Sequence, residues 1–181
     1  SRRKNKEGLL ELASREAHEK QEVYFATILN DDDSPYCAIE SNVGYFGLDF
    51  LRDNYDDYLT FQYHSYPDYP GKLFLRGIFL FECKSGTTEK LRRIDCSYNL
   101  DGSFRKVLYQ GEAYDGTFEI IKTEHPPISS EELEKLWLDY PKFGEYDQLI
   151  CLDRIPKGAL ERISVLYMYS KMSIGYKRKV S

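Results

Sequence analysis

Three histidines are the residues of this sequence best suited to transfer protons or to bind a metal. They lie far apart in the chain, and no two are four residues apart: His18, His64 and His125. Zinc sites usually take ligands in closely spaced pairs, so these residues would form a metal site only if the fold brought them together with carboxylates. The sequence also lacks the phosphate-binding loop, the dinucleotide-binding turn and the Gly-x-Ser-x-Gly nucleophile motif. It therefore predicts no metal, no cofactor and no catalytic residue.

The densest run of carboxylates is Asp31, Asp32 and Asp33. A calcium-binding EF-hand loop needs ligands at alternate positions, a central glycine and a distal glutamate, whereas Pro35 follows this run almost at once. We interpret the run as the solvated tip of a hairpin. A carboxylate pair for acid–base catalysis, such as Glu82 with Asp95, stays open as an alternative, because neighbouring strands can bring such residues together.

Residues 45–69 combine tyrosines and aspartates at high density. Tyrosine is rigid, amphipathic and enriched at protein interfaces, and carboxylates beside it suit a partner rich in lysine and arginine. The predicted partner-binding residues are Asp53, Tyr55, Asp56, Asp57 and Tyr58. An alternative interpretation is that the tyrosines cover a half-exposed sheet and the aspartates keep its edges soluble.

Hydrophobic periodicity predicts the strands that position these residues. The longest apolar run, Lys72–Cys83, is predicted to be a central strand, with Arg76 off the buried face that is shared by Leu73, Leu75, Phe79 and Phe81. Alternating segments predict seven further strands at Val23–Leu29, Pro35–Glu40, Val43–Phe50, Tyr58–Tyr66, Leu91–Tyr98, Phe104–Gln110 and Thr117–Thr123. The dipeptide Asp101-Gly102 is typical of a tight hairpin turn.

Two helices are predicted. Ser129 and Glu132 form a capping box, and apolar residues at helical spacing follow them up to Pro141: Leu133, Leu136, Trp137 and Tyr140. This helix should bury Trp137 against the sheet. Residues 5–20 predict a weaker helix with a thin apolar stripe, which we expect at the periphery.

Together these elements predict an α+β fold built on a mainly antiparallel sheet, either curved or closed into a barrel-like meander. One well-capped helix packs on the sheet. The expected organisation is a basic helical extension over residues 1–21, a single β-rich domain over 22–156, and an apolar segment with a basic tail over 157–181. In a barrel, Tyr58, Thr60, Gln62 and His64 would line a ligand cavity.

Charge is distributed unevenly along the 181 residues, whose formal net charge is −5. Eight lysines and arginines lie within residues 2–6 and 171–179, so the rest of the chain carries 17 basic against 30 acidic residues, a net −13. Such a field disfavours nucleic acids and anionic membranes and favours a basic protein partner. No uncharged run approaches the roughly 20 residues that a membrane helix needs.

Cysteine spacing indicates the compartment. Cys37, Cys83, Cys96 and Cys151 are widely spaced and form no Cys-x-x-Cys pair, which is typical of reduced thiols in a cytoplasmic protein. The N-terminal residues SRRKNKEG precede a charged stretch rather than an apolar one, so no secretory signal is expected.

In its size, its acidity and its lack of catalytic motifs, the chain resembles the small acidic immunity proteins that neutralise nuclease-type or other toxins in bacterial competition. The resemblance implies a non-enzymatic cytoplasmic inhibitor of a basic partner. Two alternatives stay open. One is a small-molecule-binding curved sheet or barrel that uses Tyr58, Thr60, Gln62 and His64; the other is an enzyme with an unrecognised carboxylate or histidine site.

Overall fold

The computed structural model describes residues 2–51, 57–83, 90–110, 119–156 and 159. A helix, α1 (Arg2–Glu19), precedes eight strands: β1 (Tyr24–Leu29), β2 (Pro35–Asn42), β3 (Tyr45–Leu51), β4 (Asp57–Ser65), β5 (Lys72–Cys83), β6 (Lys90–Tyr98), β7 (Phe104–Gln110) and β8 (Glu119–His125). A short helix, α2 (Ser130–Lys135), leads into β9 (Trp137–Asp139), and a 3-10 turn follows at Leu152–Arg154. Among the described residues, no helix is both long and apolar enough to cross a membrane.

The eight strands form one antiparallel sheet in which each strand pairs with the next in sequence, and β9 pairs with β5. All eight predicted strands are observed, and their bounds differ from the prediction by two residues at most. The predicted α+β fold with an antiparallel meander is confirmed. The sheet is open rather than closed, so a barrel does not form.

An extra residue interrupts the pairing of β4 with β5. Gln62 pairs with Gly77, and the next pair joins Tyr63 to Leu75, so Arg76 has no partner across the ladder. An extra residue of this kind is a β-bulge, and it turns every following side chain of its strand to the opposite face of the sheet.

The bulge determines which side chains of β5 enter the core. Four residues share one buried face, two on each side of the bulge: Leu73, Leu75, Ile78 and Leu80. Phe79 and Phe81 lie on the other face and are only half-buried. The prediction that they share the buried face of Leu73 and Leu75 is therefore wrong, whereas Arg76 stays off that face as predicted.

The capped helix is shorter than predicted. The backbone N–H of Glu132 donates to Ser129 Oγ at 3.3 Å, which confirms the predicted N-cap. However, the helix ends at Lys135 rather than Tyr140, and Trp137–Asp139 pairs with the start of β5. The start of β5 extends beyond the end of β6, so its backbone groups need partners, and strand pairing there outweighs local helix propensity.

Trp137 packs against the sheet from a strand rather than from a helix. Its ring centroid lies 4.8 Å from that of Phe74, which is fully buried, and 4.6 Å from that of Tyr69. Trp137 itself is half-buried. The predicted contact with the sheet is present, although the predicted helical stripe is not.

One face of the sheet, which we call the covered face, carries the core. Residues 140–156 with Ala159 pack on it, and the last turn of α1 closes one end. Tyr63 Oη donates to Leu149 O at 2.9 Å, and Cys96 Sγ donates to Ala159 O at 3.5 Å. The segment after β9 therefore replaces the predicted helix as the main cover.

Candidate functional site

The opposite face of the sheet, which we call the open face, is left uncovered over most of its width by the described helices and loops. The strand register gives its layout. On β1–β4 it carries Phe25, Thr27, Ala38, Glu40, Tyr45, Asp49, Thr60, Gln62 and His64. On β5–β8 it carries Phe79, Phe81, Arg93, Asp95, Arg105, Val107, Tyr109, Ile120, Lys122 and Glu124.

The β1–β4 part of the open face, which we call the acidic half, holds two exposed carboxylates, Glu40 and Asp49. Thr60 pairs with Asp49 across the strands, and Thr60 Oγ1 donates to Asp49 Oδ1 at 2.6 Å. This hydrogen bond orients the carboxylate, and no cation among the described residues pairs with it. Phe25, opposite Glu40, exposes 70% of its surface, so a large apolar side chain stands beside the carboxylates.

Tyr45 lies flat on this half. A Cβ atom built on Gly47 would come within 2.6 Å of Tyr45 Oη, so the absence of a side chain at Gly47 makes room for the phenol. The hydroxyl is hydrogen-bonded to Gln62. Partial burial, and then the charges of Glu40 and Asp49, raise the pKa of Tyr45, which therefore stays neutral at physiological pH.

His64 adds no positive charge to the acidic half. Its ring centroid lies 5.3 Å from that of Tyr45 in an edge-to-face arrangement. Burial, with a smaller contribution from the Arg76 charge, lowers the pKa of His64 below its ordinary value of 6.5. The imidazole is therefore mainly neutral at pH 7, and the acidic half carries no cationic side chain among the described residues.

The structure brings together three of the four residues predicted to bind a small ligand. Thr60, Gln62 and His64 form one row on the open face, as their alternation predicts. Tyr58 lies at an irregularity between Asp57 and Leu59, and its ring packs on Phe50 of the core at 6.4 Å. Because the sheet is open, the row faces outward, and the predicted placement inside a barrel is wrong.

Of the predicted partner-binding residues, the structure describes two, Asp57 and Tyr58. Asp53, Tyr55 and Asp56 are outside the described residues, and Asp57 begins β4. The strand ends that flank residues 52–56 lie at the same edge as the turn that carries Asp31, Asp32 and Asp33, because β1–β4 form a simple meander. The topology thus places Asp57 at the same end of the acidic half as these three aspartates, and we call residues 31–33 together with Asp57 the acidic edge.

The β5–β8 half of the open face carries three cationic side chains, Arg93, Arg105 and Lys122, and two carboxylates, Asp95 and Glu124, among the described residues. Arg93 makes a two-pronged ion pair with the buried Asp95, with N···O distances of 2.5 and 2.8 Å. The guanidinium also lies 5.3–5.6 Å from the ring centroids of Phe79, Phe81 and Tyr109. Sequence analysis missed this cluster. The spacing of Arg93 and Asp95, two residues apart in a strand, could have predicted that they share a face. Their aromatic neighbours could not be predicted, because the bulge in β5 changes the face on which Phe79 and Phe81 lie.

Both carboxylates of the pair considered for acid–base catalysis form ion pairs with arginines. Glu82 Oε2 lies 3.2 Å from the guanidinium of Arg92, and Asp95 is paired with Arg93. In the strand register Glu82 stands opposite Arg92 and Asp95 stands opposite Phe79, so the predicted Glu82–Asp95 pair does not form. Within the described ranges no three His, Cys, Asp or Glu side chains converge in a way that could hold a metal ion.

A second missed cluster lies beneath the covered face and involves His18. Its Nε2 is 3.0 Å from Pro141 O, and because a carbonyl only accepts, Nε2 carries the proton. In the neutral ring Nδ1 therefore accepts from Tyr24 Oη at 2.8 Å, and Tyr24 accepts in turn from Tyr146 Oη at 3.1 Å. His18, Tyr24 and Tyr146 are all buried, so this chain of hydrogen bonds serves to dock α1 on the sheet.

The open face therefore brings carboxylates, a phenol and an exposed phenylalanine together. Its acidic half and the acidic edge are continuous, since Asp57 begins the strand that carries Thr60. Comparison with protein-family models, with curated proteins and with solved structures finds no match to this chain.

Proposed function

We propose that this chain is a non-enzymatic protein-binding protein that captures a basic partner on its acidic half and acidic edge. In this role it would act as an antagonist of a toxin, in the manner of the small acidic immunity proteins. In this proposal Asp57 supplies charge at the acidic edge and Tyr58 supplies an aromatic contact beside it, and Asp49 and Tyr45 continue the surface across the sheet. Asp53, Tyr55 and Asp56, which precede Asp57 in the sequence, would add charge and aromatic contacts.

One observation supports this proposal most directly: the acidic half is negative, and no described cation pairs with its carboxylates. Among the described residues Asp49 is hydrogen-bonded only to a neutral hydroxyl, and Glu40 is exposed beside Phe25. By contrast, Asp95 on the β5–β8 half is already paired with Arg93. An incoming arginine or lysine would gain a charged hydrogen bond at Asp49, whereas at Asp95 it would have to displace an existing one.

The size of the open face suits a protein partner. Seven strand spacings of about 4.8 Å give a width of roughly 34 Å, and six residues of about 3.3 Å give a length of roughly 20 Å. The product, roughly 700 Å², approaches the about 800 Å² that each partner contributes to a standard interface. The face is rigid as well, because every strand of it is paired on at least one side.

The thiols support a cytoplasmic location as part of this proposal. Cys37, Cys96 and Cys151 are free, and burial raises the pKa of the Cys96 thiol to about 11, which makes it unreactive. Free thiols suit a reducing environment, and in the cytoplasm an immunity-type antagonist would meet its target.

The proposal is tested by capturing basic proteins from lysate of the source organism and by measuring binding kinetics of the recovered partner at low and high salt. Exposed charges are screened over about 8 Å at physiological ionic strength, so association should slow as salt rises. Replacing Glu40→Gln and Asp49→Asn together, or Asp53, Asp56 and Asp57 together by Asn, should reduce the association rate constant.

A matched control is Glu134→Gln with Glu145→Gln, which removes two exposed charges away from the open face. This control should leave association unchanged, and circular dichroism should show that all variants are folded. Equal effects of the control and of the open-face variants would mean that only net charge matters. Recovery of no basic partner, or unchanged rates in both open-face variants, would refute the proposed interface.

A further inference from the structure

A pocket of about 400 Å³ lies at the edge of the sheet opposite the acidic edge. It is formed where the loop between β4 and β5 meets the residues just after α1 and after β9. Its walls include two prolines and the aromatic rings of Tyr66, Tyr69 and Tyr140. Gln21 and Lys72 also line it. The pocket is distinct from the predicted ligand site, because its lining includes none of Tyr58, Thr60, Gln62 and His64.

The aromatic wall is held rigidly. Trp137 packs against Tyr69 with ring centroids 4.6 Å apart and against Tyr66 at 6.4 Å, while its other side contacts the buried Phe74. The loop backbone is also fixed, because Tyr140 N donates to Gly71 O at 2.8 Å. A preformed aromatic wall lowers the entropic cost of binding.

Several side chains of the pocket can donate hydrogen bonds to a ligand. The backbone carbonyls of Tyr66, Tyr69 and Gly71 already accept from backbone N–H groups, at 2.9, 3.1 and 2.8 Å. Two carboxylates lie close to the wall: Asp139 accepts from Lys72 Nζ at 2.5 Å, and Asp68 stands between Pro67 and Tyr69 in the loop. The side chains of Gln21, Tyr66 and Tyr69 make no hydrogen bond to another described residue, so an amide and two hydroxyls remain available to donate to a ligand or to accept from it.

We propose that this pocket binds a proline-rich segment of a partner polypeptide in the polyproline II conformation. Such a segment offers apolar rings that pack on aromatic side chains. Its backbone carbonyls make no internal hydrogen bonds, and its prolines have no N–H to donate. It therefore supplies acceptors and apolar surface, which match the donors and rings of the wall.

Gln21 supports this assignment through its backbone. It follows α1 with φ of 55°, a left-handed conformation at the end of a helix where glycine is usually favoured. Glu22 N donates to Ala17 O at 2.7 Å, which completes the helix-ending turn. Glycine would relieve the strain, but it would remove the amide that lines the pocket.

The test uses the intrinsic fluorescence of Trp137, the single tryptophan of the chain, which contacts Tyr69. The probe is a ten-residue oligoproline, titrated against the full chain beside a ten-residue Gly-Ser peptide and a neutral glucose hexasaccharide. We expect a saturable change with oligoproline only. Tyr69→Ala should weaken binding about tenfold or more, as expected for an exposed aromatic anchor.

Val43→Ala is the matched control, since Val43 is 74% exposed in the turn between β2 and β3 and does not line the pocket. It should bind oligoproline like the unchanged chain, and thermal melts should show both variants folded. Saturation by the hexasaccharide but not by oligoproline would overturn the assignment, as would no saturation by either probe or equal binding by Tyr69→Ala. None of these outcomes bears on the acidic half, which lies on another part of the sheet.

Discussion

Replacing Tyr24 by Phe should destabilise the protein more than any other loss of a single tyrosine hydroxyl in the His18 cluster. Tyr24 occupies the middle of the hydrogen-bond chain: it donates to His18 Nδ1 at 2.8 Å and accepts from Tyr146 Oη at 3.1 Å. Tyr24→Phe leaves both partners buried and unsatisfied. Each orphaned group costs about 1–3 kcal/mol, so the free energy of unfolding should fall by about 2–6 kcal/mol.

Tyr146→Phe is the graded comparison. It removes the donor to Tyr24 but leaves the bond between Tyr24 and His18 in place, so its cost should be about 1 kcal/mol. Tyr69→Phe is the control outside the cluster, and it should change stability by less than about 0.5 kcal/mol. Urea unfolding monitored by circular dichroism measures all three. Equal costs for Tyr24→Phe and Tyr146→Phe would refute the assigned directions of the hydrogen bonds.

The same cluster predicts a dependence of stability on pH. Burial is the main cause that lowers the pKa of His18 from its ordinary value of 6.5, against smaller opposing effects of Pro141 O and Glu19. Below pH 6.5 the unfolded chain binds a proton that the folded state resists, so stability is full above this pH and is lost as pH falls toward the folded pKa. The slope for one group is at most about 1.4 kcal/mol per pH unit.

His64 should also reduce the stability of the protein as pH falls, because burial and the charge of Arg76 lower its pKa too. The two contributions are separated by His18→Gln and His64→Gln in denaturant titrations between pH 7.5 and 5.5. The amide of glutamine offers one donor and one acceptor, as the neutral imidazole does, but it does not titrate in this range. A His18→Gln variant that keeps the full pH dependence would contradict the buried neutral histidine.

Three further outcomes are expected. Ile78→Ala should lower the free energy of unfolding by about 2–5 kcal/mol. Phe79→Ala should lower it by much less than the about 3–5 kcal/mol of a fully buried phenylalanine, because the bulge places Phe79 on the open face. Urea titrations that rank the two variants in the opposite order would contradict the bulge. Gln21→Gly should raise the free energy of unfolding by about 1 kcal/mol, because glycine adopts the left-handed backbone conformation of this position without the steric cost that a Cβ atom causes. A lowered melting temperature would argue against this strain. Asp49→Asn should change the free energy of unfolding by less than about 0.5 kcal/mol, because its carboxylate is exposed, and a larger loss in urea titrations would show a structural role.

Most of the fold could be predicted from local signals. The strand limits follow from period-two alternation bounded by turn residues, as at Asn99–Ser103, where Asp101 Oδ1 accepts from Ser103 N at 2.9 Å and Gly102 adopts φ of 83°. The N-cap at Ser129 could be predicted for the same reason, since capping involves residues only three apart.

The features that were missed depend on contacts between distant segments. The bulge at Arg76 shows no local signal, because both Phe79 and Ile78 are apolar and the alternation of β5 is compatible with either face. Likewise, β9 forms only because the start of β5 extends past β6, which is a property of the assembled sheet. Consequently the Arg93 cluster and the aromatic wall, each built on one of these two features, could not be predicted.

The candidate site was partly predictable for a related reason. The alternation of β4 places Thr60, Gln62 and His64 on one face whether the sheet is open or closed, so the row was predicted correctly although its surroundings were not. Whether that face lines a cavity depends on closure, which is decided by pairing between the first and last strands and is not encoded in any one strand.

Under the proposed function, the two halves of the open face would contribute differently to binding. On the β5–β8 half Arg93 and Asp95 satisfy each other, and Arg105 and Lys122 outnumber the remaining carboxylate Glu124, so this half would contribute shape and apolar surface rather than attraction for a basic partner. Asp49 is oriented by Thr60 without being neutralised, so its charge stays available at a fixed position. A basic partner would therefore be attracted to one half by its charge and placed in register by contacts along the whole face, and loss of either half should affect a different rate constant.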